Sequence, residues 1–218
     1  SNQLKSIIQK LKPDVIIDFS NAKATMKQVK IITEMGVSLV IGTTGFSKTD
    51  LMRLVVLSRK NSSGILYAPN VTLGVNVMML LSNIAARILN DYDFEINEAH
   101  HKHKKDSPSG TAIKLQGEIE KGLEAAGVQI DTDNIPIHAV RAGGIIGKHE
   151  LLIVGENDKI EISHESFNRR AFAQGAMKGV RFIKEKKGFF EMRDVLDLEK
   201  VLSSYFKKQK IKLTEKAI

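Results

Sequence analysis

The sequence predicts an α/β protein in two parts: a parallel sheet flanked by helices, and an α+β part whose sheet is mixed or antiparallel. Through the first 70 residues, short runs of β-branched apolar residues alternate with segments of helical periodicity. This alternation is typical of parallel strands joined by right-handed crossovers. In the middle third, strands with alternating polar and apolar residues follow one another across short turns, which predicts antiparallel pairing.

The first 70 residues contain three predicted helices and three predicted strands. The helices lie at 4–11, 24–35 and 50–60, and the buried strands at 14–20, 37–45 and 64–68. Ligands bind beyond the carboxyl ends of the strands in such sheets. The residues at those ends therefore predict a binding crevice: Phe19 and Ser20, then Gly42, Thr43 and Thr44, then Ala68, Pro69 and Asn70. This part is Rossmann-like.

The rest of the chain predicts the α+β part. A hinge at 69–74 precedes an apolar helix at 75–89. Further strands are predicted at 93–99, 135–141, 149–155 and 159–164, helices at 107–126 and 171–186, and a lysine-rich solvated helix over 202–218.

The composition bounds the class of protein. The chain has 218 residues, of which 42% are hydrophobic and 27% charged, as in ordinary globular proteins. It has no cysteine, which excludes disulfides and thiolate chemistry and fits a cytoplasmic location. No apolar run approaches the roughly 20 residues of a membrane span. The net charge of +8 is compatible with a nucleic-acid partner, with an anionic small substrate and cofactor, or with solubility alone. Aromatic residues make up 6%, which is sparse for stacking on nucleic acid.

The segment EAHHKHKKDSPSGTA at residues 98–112 concentrates the chemistry of the chain. It lies between a predicted strand and a predicted helix, for which we expect Ser107 as the N-cap and Pro108 as the first helical residue. The next three amides, of Ser109, Gly110 and Thr111, would then be unpaired at the positive end of the helix dipole, where anions bind. With lysines and imidazoles beside it, the segment predicts a pocket for a small acid with proton-transfer groups.

Plainer interpretations of the same residues stay open. A run such as HHKHKK is often a solvated basic loop. A metal site is disfavoured, because the lysines repel a cation and no cysteine is present. His138, His149 and His164 lie on predicted strands and are interpreted as packed or surface residues. Arg169 or Arg170 could hold a carboxylate through two hydrogen bonds.

The segment at 98–112 also resembles the signature of the dihydrodipicolinate reductase family. Further matches follow in family order: GTTGF at 42–46, APN at 68–70, GVNV at 74–77, RAG at 141–143 and RDVL at 193–196. The resemblance runs from about residue 14 to about residue 198, and residues 188–196 resemble the segment by which the family returns to its cofactor domain. The resemblance therefore implies that residues 1–70 and 170–218 form one domain and residues 71–169 the other. It implies reduction of 4-hydroxy-tetrahydrodipicolinate to tetrahydrodipicolinate by NADH or NADPH, in the diaminopimelate and lysine pathway, by a homotetramer assembled through the α+β domain.

The resemblance also assigns roles to residues. His100 is implied as the acid/base group and Lys104 as the proton donor. Contacts with the dicarboxylate substrate are implied for His101, Ser109, Gly110, Thr111 and Arg169. Together with the strand ends, the resemblance implies cofactor contacts at Phe19, Ser20, Gly42, Thr43, Thr44 and the segment Ala68, Pro69, Asn70 and Val71.

One element of the family is missing from the sequence. The turn G-x-G-x-x-G that holds the pyrophosphate of a dinucleotide does not occur, and the family carries such a turn near its N-terminus. We therefore expect that about a quarter of a typical member is absent and that this chain has little reductase activity. The preference for NADH or NADPH stays open. The alternatives are a truncated module that oligomerises and binds substrate-like acids, and a basic polyanion-binding protein.

Overall fold

The computed structural model describes residues 2–129, 135–198 and 200–205. The chain divides into two compact units, one comprising residues up to Pro69 and from Ala176 onward, the other Asn70–Gly175. Among the described residues, no helix combines the length and apolar character that crossing a bilayer requires. Of the lysine-rich helix predicted at 202–218, all but residues 202–205 lies outside the described residues.

The helices and strands alternate along most of the chain. In order they are α1 (Asn2–Leu11), β1 (Val15–Asp18), α2 (Ala22–Glu34), β2 (Ser38–Ile41), α3 (Lys48–Lys60), β3 (Gly64–Tyr67), α4 (Leu73–Ile88), β4 (Asp93–His100), α5 (Gly110–Ala125), β5 (Ile137–Arg141), β6 (Lys148–Val154), β7 (Lys159–Glu165), α6 (Arg170–Ile183), β8 (Gly188–Glu191) and α7 (Met192–Leu196). The division between the two units falls within α6.

The first unit contains a parallel sheet with strand order β1-β2-β3-β8. One of its two central strands, β2, is apolar after Ser38, and Leu39, Val40 and Ile41 are completely buried. Continuous apolar strands of this kind are expected where helices cover both faces of a sheet. The parallel arrangement of the three predicted strands is confirmed, and β8 adds a fourth from the far end of the sequence.

Two helices of this unit begin earlier than their apolar periodicity predicts. Asn21 caps α2 by accepting a hydrogen bond from the amide of Ala24 at 3.0 Å. Ser47 caps α3 in a reciprocal capping box with Asp50. The polar caps accept hydrogen bonds from amides that would otherwise be unpaired. Each helix therefore begins before the first residue of its predicted apolar pattern.

The second unit contains a mixed sheet with strand order β5-β4-β6-β7. Strand β5 is parallel to β4, whereas β6 pairs antiparallel with both β4 and β7. Helices α4 and α5 contribute Met78, Met79, Leu115 and Ile119 to a core that also contains Ile96 of β4. These helices therefore cover one face of the sheet, and the prediction of an α+β part with a mixed sheet is confirmed.

The strand register collects polar residues on the covered face of this sheet. Side chains alternate between faces along a strand, and in β4 the buried positions include Glu98 and His100. His100 is paired with Arg141 of β5, and Glu98 with His149 of β6. His149 is in turn opposite His164 of β7. Five chemically active side chains thus share the end of one sheet face.

Candidate active site

Helix α5, which follows the histidine- and lysine-rich loop, begins later than the sequence predicts. The expected N-cap was Ser107 and the expected first helical residue was Pro108, but the helix begins at Gly110 and its N-cap is Ser109. The hydroxyl oxygen of Ser109 accepts a hydrogen bond from the amide of Ala112 at 3.2 Å. The prediction was wrong because both serines precede a plausible first turn, and tertiary contacts select the second.

The tertiary contact that selects Ser109 comes from strand β4. The amide of Ser109 donates to Oε1 of Glu98 at 3.0 Å, and Ser109 has extended backbone angles and is buried. The Ser109 amide is thus already paired within the chain. The amides of Gly110 and Thr111 lie in the first turn of the helix, where no intrahelical acceptor exists. Of the three amides predicted to bind an anion, these two retain the expected position.

The carboxylate of Glu98 is the centre of the hydrogen-bond network. Its side chain is completely buried. Arg141 donates to it from both terminal nitrogens, Nη1 to Oε2 at 2.9 Å and Nη2 to Oε1 at 2.6 Å. Nδ1 of His100 lies 2.5 Å from Oε2. Burial raises the pKa of Glu98, but the hydrogen bonds from Arg141, His100 and the Ser109 amide outweigh it, so the pKa lies below its usual value.

His100 is nearly enclosed at the end of β4. Its side chain is 10% exposed, and its ring meets the ring of His149 edge-on, with centroids 5.2 Å apart. On the other side of the ring, a Cβ built on Gly147 would lie 3.1 Å from Nε2, so glycine leaves the room that the ring requires. Burial lowers the pKa of His100, opposed by its hydrogen bond to Glu98.

His149 and His164 are opposite each other on β6 and β7, and the ring of His149 contacts that of His100. Nε2 of His149 lies 3.2 Å from the hydroxyl oxygen of Ser109, whereas Nδ1 of each of the two rings is buried without a hydrogen-bond partner among the described residues. Burial lowers the pKa of His149 to about 4 and also lowers that of His164. His149 was interpreted as an ordinary packed residue; it is packed, and it also contacts the N-cap of α5.

Lys104 lies in the loop between β4 and α5. Its Nζ is 2.8 Å from Oδ1 of Asp106, and its side chain is 22% exposed. Burial raises the pKa of Asp106, but Lys104 and the amide of Gly110 contribute to a net lowering. In the free protein, an internal carboxylate therefore lies beside both the ammonium and the amide that were predicted to hold an external one. His101 lies in the same loop, half-buried.

The remaining predicted substrate contacts differ in their surroundings. A Cβ built on Gly110 would meet no atom within 4 Å, so the space beside its Cα is open, whereas its amide contacts Asp106. The hydroxyl of Thr111 donates to Oδ1 of Asn70 at 2.9 Å. Arg169 is exposed and immediately precedes α6. In the part of the chain that the structure describes, no hydrogen bond or ion pair joins the Arg169 side chain to His100 or Lys104.

The predicted cofactor residues of the first unit follow the ends of β1, β2 and β3. The ring of Phe19 is 55% exposed and lies against Gly42 so closely that a Cβ there would overlap it. Ser20 donates to the carboxylate of Asp18 from its amide and its hydroxyl. Of the other residues at these ends, Thr43 and Ala68 are buried, Thr44 is exposed, and Pro69 is half-buried. In the second unit, Asn70 contacts Thr111, and Val71 is buried.

Glu98 and Arg141 are the participants to which the sequence reasoning gave no role. Glu98 stands at an inward position of an alternating strand, and a buried carboxylate must be paired. The sequence thus indicates that Glu98 has a partner. It does not identify that partner, because 43 residues separate Glu98 from Arg141. Within the described ranges, no group of three or more potential ligands is arranged to hold a metal ion.

The comparisons with known proteins cover almost the whole chain. Two family models match: dihydrodipicolinate reductase, N-terminus, at residues 1–71, and dihydrodipicolinate reductase, C-terminus, at residues 74–196. A 4-hydroxy-tetrahydrodipicolinate reductase of Archaeoglobus fulgidus is 38% identical over 203 residues, which cover 87% of this chain and 78% of that protein. The corresponding reductase of Ralstonia nicotianae is 42% identical over 201 residues, covering 85% and 74%.

Solved structures agree with this assignment. The dipicolinate-bound dihydrodipicolinate reductase from Paenisporosarcina sp. TG-14 is 32% identical, with a TM-score of 0.74, over 86% of this chain and 75% of that one. An amine dehydrogenase from Mycobacterium smegmatis shares the fold, with a TM-score of 0.58 at 12% identity over 87% of this chain and 78% of that one. On the family models and the identity to these reductases, the chain belongs to the dihydrodipicolinate reductase family.

Proposed function

We propose that the protein reduces 4-hydroxy-tetrahydrodipicolinate to tetrahydrodipicolinate with NADH or NADPH, as a step of diaminopimelate and lysine biosynthesis in the cytoplasm. One observation carries this proposal. In a chain of this family, the second unit brings an enclosed Glu98–His100 pair together with the first turn of α5. The relatives are named for this reaction, and a related structure contains dipicolinate. Nothing in the comparisons favours the alternative of a basic polyanion-binding protein.

The substrate is a cyclic dicarboxylate, and the second unit offers donors for its two carboxylates. The amides of Gly110 and Thr111 point outward at the positive end of the α5 dipole. Lys104 supplies a full positive charge to the ligand when the ligand replaces Asp106 as the partner of its ammonium group. His101 and Arg169 are proposed to bind the second carboxylate. Ser109 is proposed as a contact through its hydroxyl group, because its amide is paired with Glu98.

Proton transfer is assigned to His100 and Lys104. Adding hydride to a conjugated imine leaves negative charge that must be protonated. Lys104 carries the proton to be donated and lies in the loop that leads into the proposed carboxylate contacts at the start of α5. His100 is held at Nδ1 by Glu98, which leaves Nε2 to exchange a proton or to accept a hydrogen bond. Only 10% of the His100 side chain is exposed, so bulk water is largely excluded from the proton that the ring exchanges.

The cofactor is proposed to bind at the carboxyl ends of the parallel strands. The exposed ring of Phe19, the small Gly42 against it and the exposed Thr44 fit a flat nicotinamide ring. Ser20, Thr43, Ala68, Pro69, Asn70 and Val71 are proposed to complete this half of the site. When bound, the nicotinamide supplies the hydride.

A homotetramer is proposed to form through the second unit. The sheet face opposite α4 and α5 displays Val140 at 52% and Val154 at 36% exposure, together with Glu95 and Glu161. A mixed face of this kind, open over four strands, is suited to pairing with the same face of another copy.

Calorimetry with pyridine-2,6-dicarboxylate tests the proposal without depending on cofactor binding. We expect saturable binding of one ligand per chain, weakened at least about tenfold by Lys104→Ala, since a charge-assisted contact contributes about 1.5–3 kcal/mol. Lys102→Ala is the matched control, because Lys102 lies exposed in the same loop, and it should change the affinity less than twofold. Binding of nucleic acid with steep salt dependence, and none of the dicarboxylate, would contradict the proposal.

Turnover is measured separately, by the loss of NADH or NADPH absorbance with 4-hydroxy-tetrahydrodipicolinate as substrate. Whatever the absolute rate of this chain, His100→Gln and Lys104→Ala should lower kcat more than they change KM for the dicarboxylate. Unchanged kcat in either variant would remove that residue from the proton-transfer role.

A further inference from the structure

The buried carboxylate of Glu98 constrains the protonation of His100. An ionised carboxylate only accepts hydrogen bonds, and Glu98 receives them from Arg141, from the Ser109 amide and from the atom facing Oε2. That atom is Nδ1 of His100, at 2.5 Å. At neutral pH the Nδ1 atom must therefore carry hydrogen, and in a neutral imidazole the other nitrogen, Nε2, then has a free lone pair.

We propose that Glu98 and Arg141 are positioning residues: Glu98 fixes neutral His100 in the tautomer with hydrogen on Nδ1, and Arg141 fixes the orientation of Glu98. The proposal rests on the proposed function for the use that is made of His100, but the tautomer itself is a property of the free protein. Neither residue is required to touch the substrate.

Arg141 has the geometry needed to orient the carboxylate. Its two terminal nitrogens bind the two oxygens of Glu98, so the planar guanidinium holds the plane of the carboxylate. Nη2 also donates to the backbone oxygen of Asp106 at 2.7 Å, which ties the pair to the loop that carries Lys104. A rotation of Glu98 about its last bond would break these contacts together, so Oε2 stays directed at His100.

The charged and titratable groups around His100 come from each element packed against it. Glu98 lies on its own strand, Arg141 on β5, His149 on β6 and Lys104 in the following loop. Burial holds His149 neutral, with a pKa of about 4. Arg141 and Lys104 oppose a positive charge on the His100 ring, and burial opposes it further. His100 is therefore neutral in the free protein at pH 7.5, which makes its tautomer well defined.

Nitrogen NMR of the histidine rings tests the proposal, because protonated and unprotonated ring nitrogens have widely separated chemical shifts. The spectra are recorded on the whole chain at pH 7.5, and the His100 signals are identified by their loss in His100→Gln. We expect hydrogen on Nδ1 in the wild type and in Glu98→Asp, which keeps the carboxylate. A wild-type ring with hydrogen on Nε2 would overturn the proposal.

The decisive variant is the double substitution E98Q/R141M. Glu98→Gln alone would leave Arg141 partly buried without its counter-charge and could unfold the chain, whereas removing both charges avoids that cost. In the double variant the Gln oxygen is expected to face the Ser109 amide, so that its NH2 group faces Nδ1 of His100. The hydrogen should then move to Nε2. Retention of hydrogen on Nδ1 would show that Glu98 does not set the tautomer.

A control and a ligand measurement separate this inference from the proposed function. Glu95→Gln alters a second Glu–His pair, with His138 at 3.0 Å, on the same strand but exposed to solvent, and it should leave the His100 tautomer and dicarboxylate binding unchanged. E98Q/R141M should lower kcat more than it changes KM for the dicarboxylate, because it changes the tautomer of the proposed acid/base group. If the wild type does not bind the dicarboxylate, the proposed function is wrong. The NMR measurement of the His100 tautomer does not depend on that result. If the wild type binds the dicarboxylate and the double variant keeps the wild-type kcat, the positioning role fails.

Discussion

At the scale of single residues, the candidate site depends on how few conformations His100 can adopt. Glu98 holds one edge of its ring at 2.5 Å, and Gly147 borders the opposite nitrogen. His149 contacts the ring edge-on. A side chain fixed from several directions keeps its reacting atom in place without relying on ligand binding, which is how preorganised sites reduce the cost of reaching the reactive geometry.

Gly147→Ala tests how tightly the His100 ring is held. The new methyl group would lie 3.1 Å from Nε2, tighter than ordinary van der Waals contact, and Glu98 prevents the ring from retreating. We expect the free energy of unfolding to fall by about 1–3 kcal/mol, as measured by urea denaturation. Gly144→Ala is the matched control, because a Cβ there meets nothing within 4 Å. Equal stability of the two variants would show that the ring has room to move.

The buried ring of His149 predicts how stability depends on pH. Its pKa falls from 6.5 to about 4 on folding, so between these values the unfolded chain binds a proton that the folded chain does not. Stability is therefore complete above pH 6.5 and decreases as the pH falls towards 4, by at most about 3 kcal/mol from this residue. Burial of His100 and His164 acts in the same direction.

Urea unfolding of His149→Gln between pH 7.5 and 4.5 measures this contribution. The difference in unfolding free energy between the wild type and the variant should shrink as the pH falls. His138→Gln, which removes an exposed ring, should keep the pH profile of the wild type. Parallel profiles for the wild type and His149→Gln would mean that the His149 ring accepts a proton in the folded state.

At the scale of elements, strand β4 and the start of α5 form one functional unit. The strand contributes Glu98, whose carboxylate binds the amide of Ser109 and so determines where the helix begins. The sequence was sufficient to place a strand, a loop and a helix in this order. It could not choose between Ser107 and Ser109 as the N-cap, because both are good caps and the choice depends on a contact across 11 residues.

Gly110→Ala separates the stability of α5 from its proposed ligand binding. A Cβ at this position meets no atom within 4 Å, and alanine favours helix more than glycine. We expect unfolding free energy to be unchanged or up to about 1 kcal/mol higher. Affinity for pyridine-2,6-dicarboxylate should fall at least about tenfold, because the proposed ligand approaches the backbone at Gly110, where glycine leaves room that a methyl group would take. Unchanged affinity would show that the ligand does not bind at this turn.

At the scale of the whole molecule, the sequence predicted the classes of both sheets but not all of their strand neighbours. The parallel order of β1, β2 and β3 follows from short crossovers, whereas β8 joins β3 from more than 100 residues away. In the same way, the chemistry-bearing loop was recognisable from composition, but the pairing of Glu98 with Arg141 depends on β5 lying beside β4. Local pattern predicts elements, and long-range pairing completes the site.

The open face of the mixed sheet predicts the assembly state. If four copies associate through it, sedimentation analysis should give about four times the 24.2 kDa of one chain. Val140→Glu places a charge on the exposed part of this face, and it should lower the mass without changing the secondary structure seen by circular dichroism. Val56→Glu, at an exposed position of α3 in the other unit, is the control. A wild-type chain that sediments as a monomer would contradict the proposed tetramer.

The most direct test is an amide NMR titration of the protein with pyridine-2,6-dicarboxylate. If a dicarboxylate binds at the start of α5, the amide signals of Gly110 and Thr111 should shift saturably and with the same affinity as the ring signals of His100. Saturable shifts confined to other residues, or no shifts at millimolar ligand, would contradict the assignment of this turn and its neighbouring histidine as the active site.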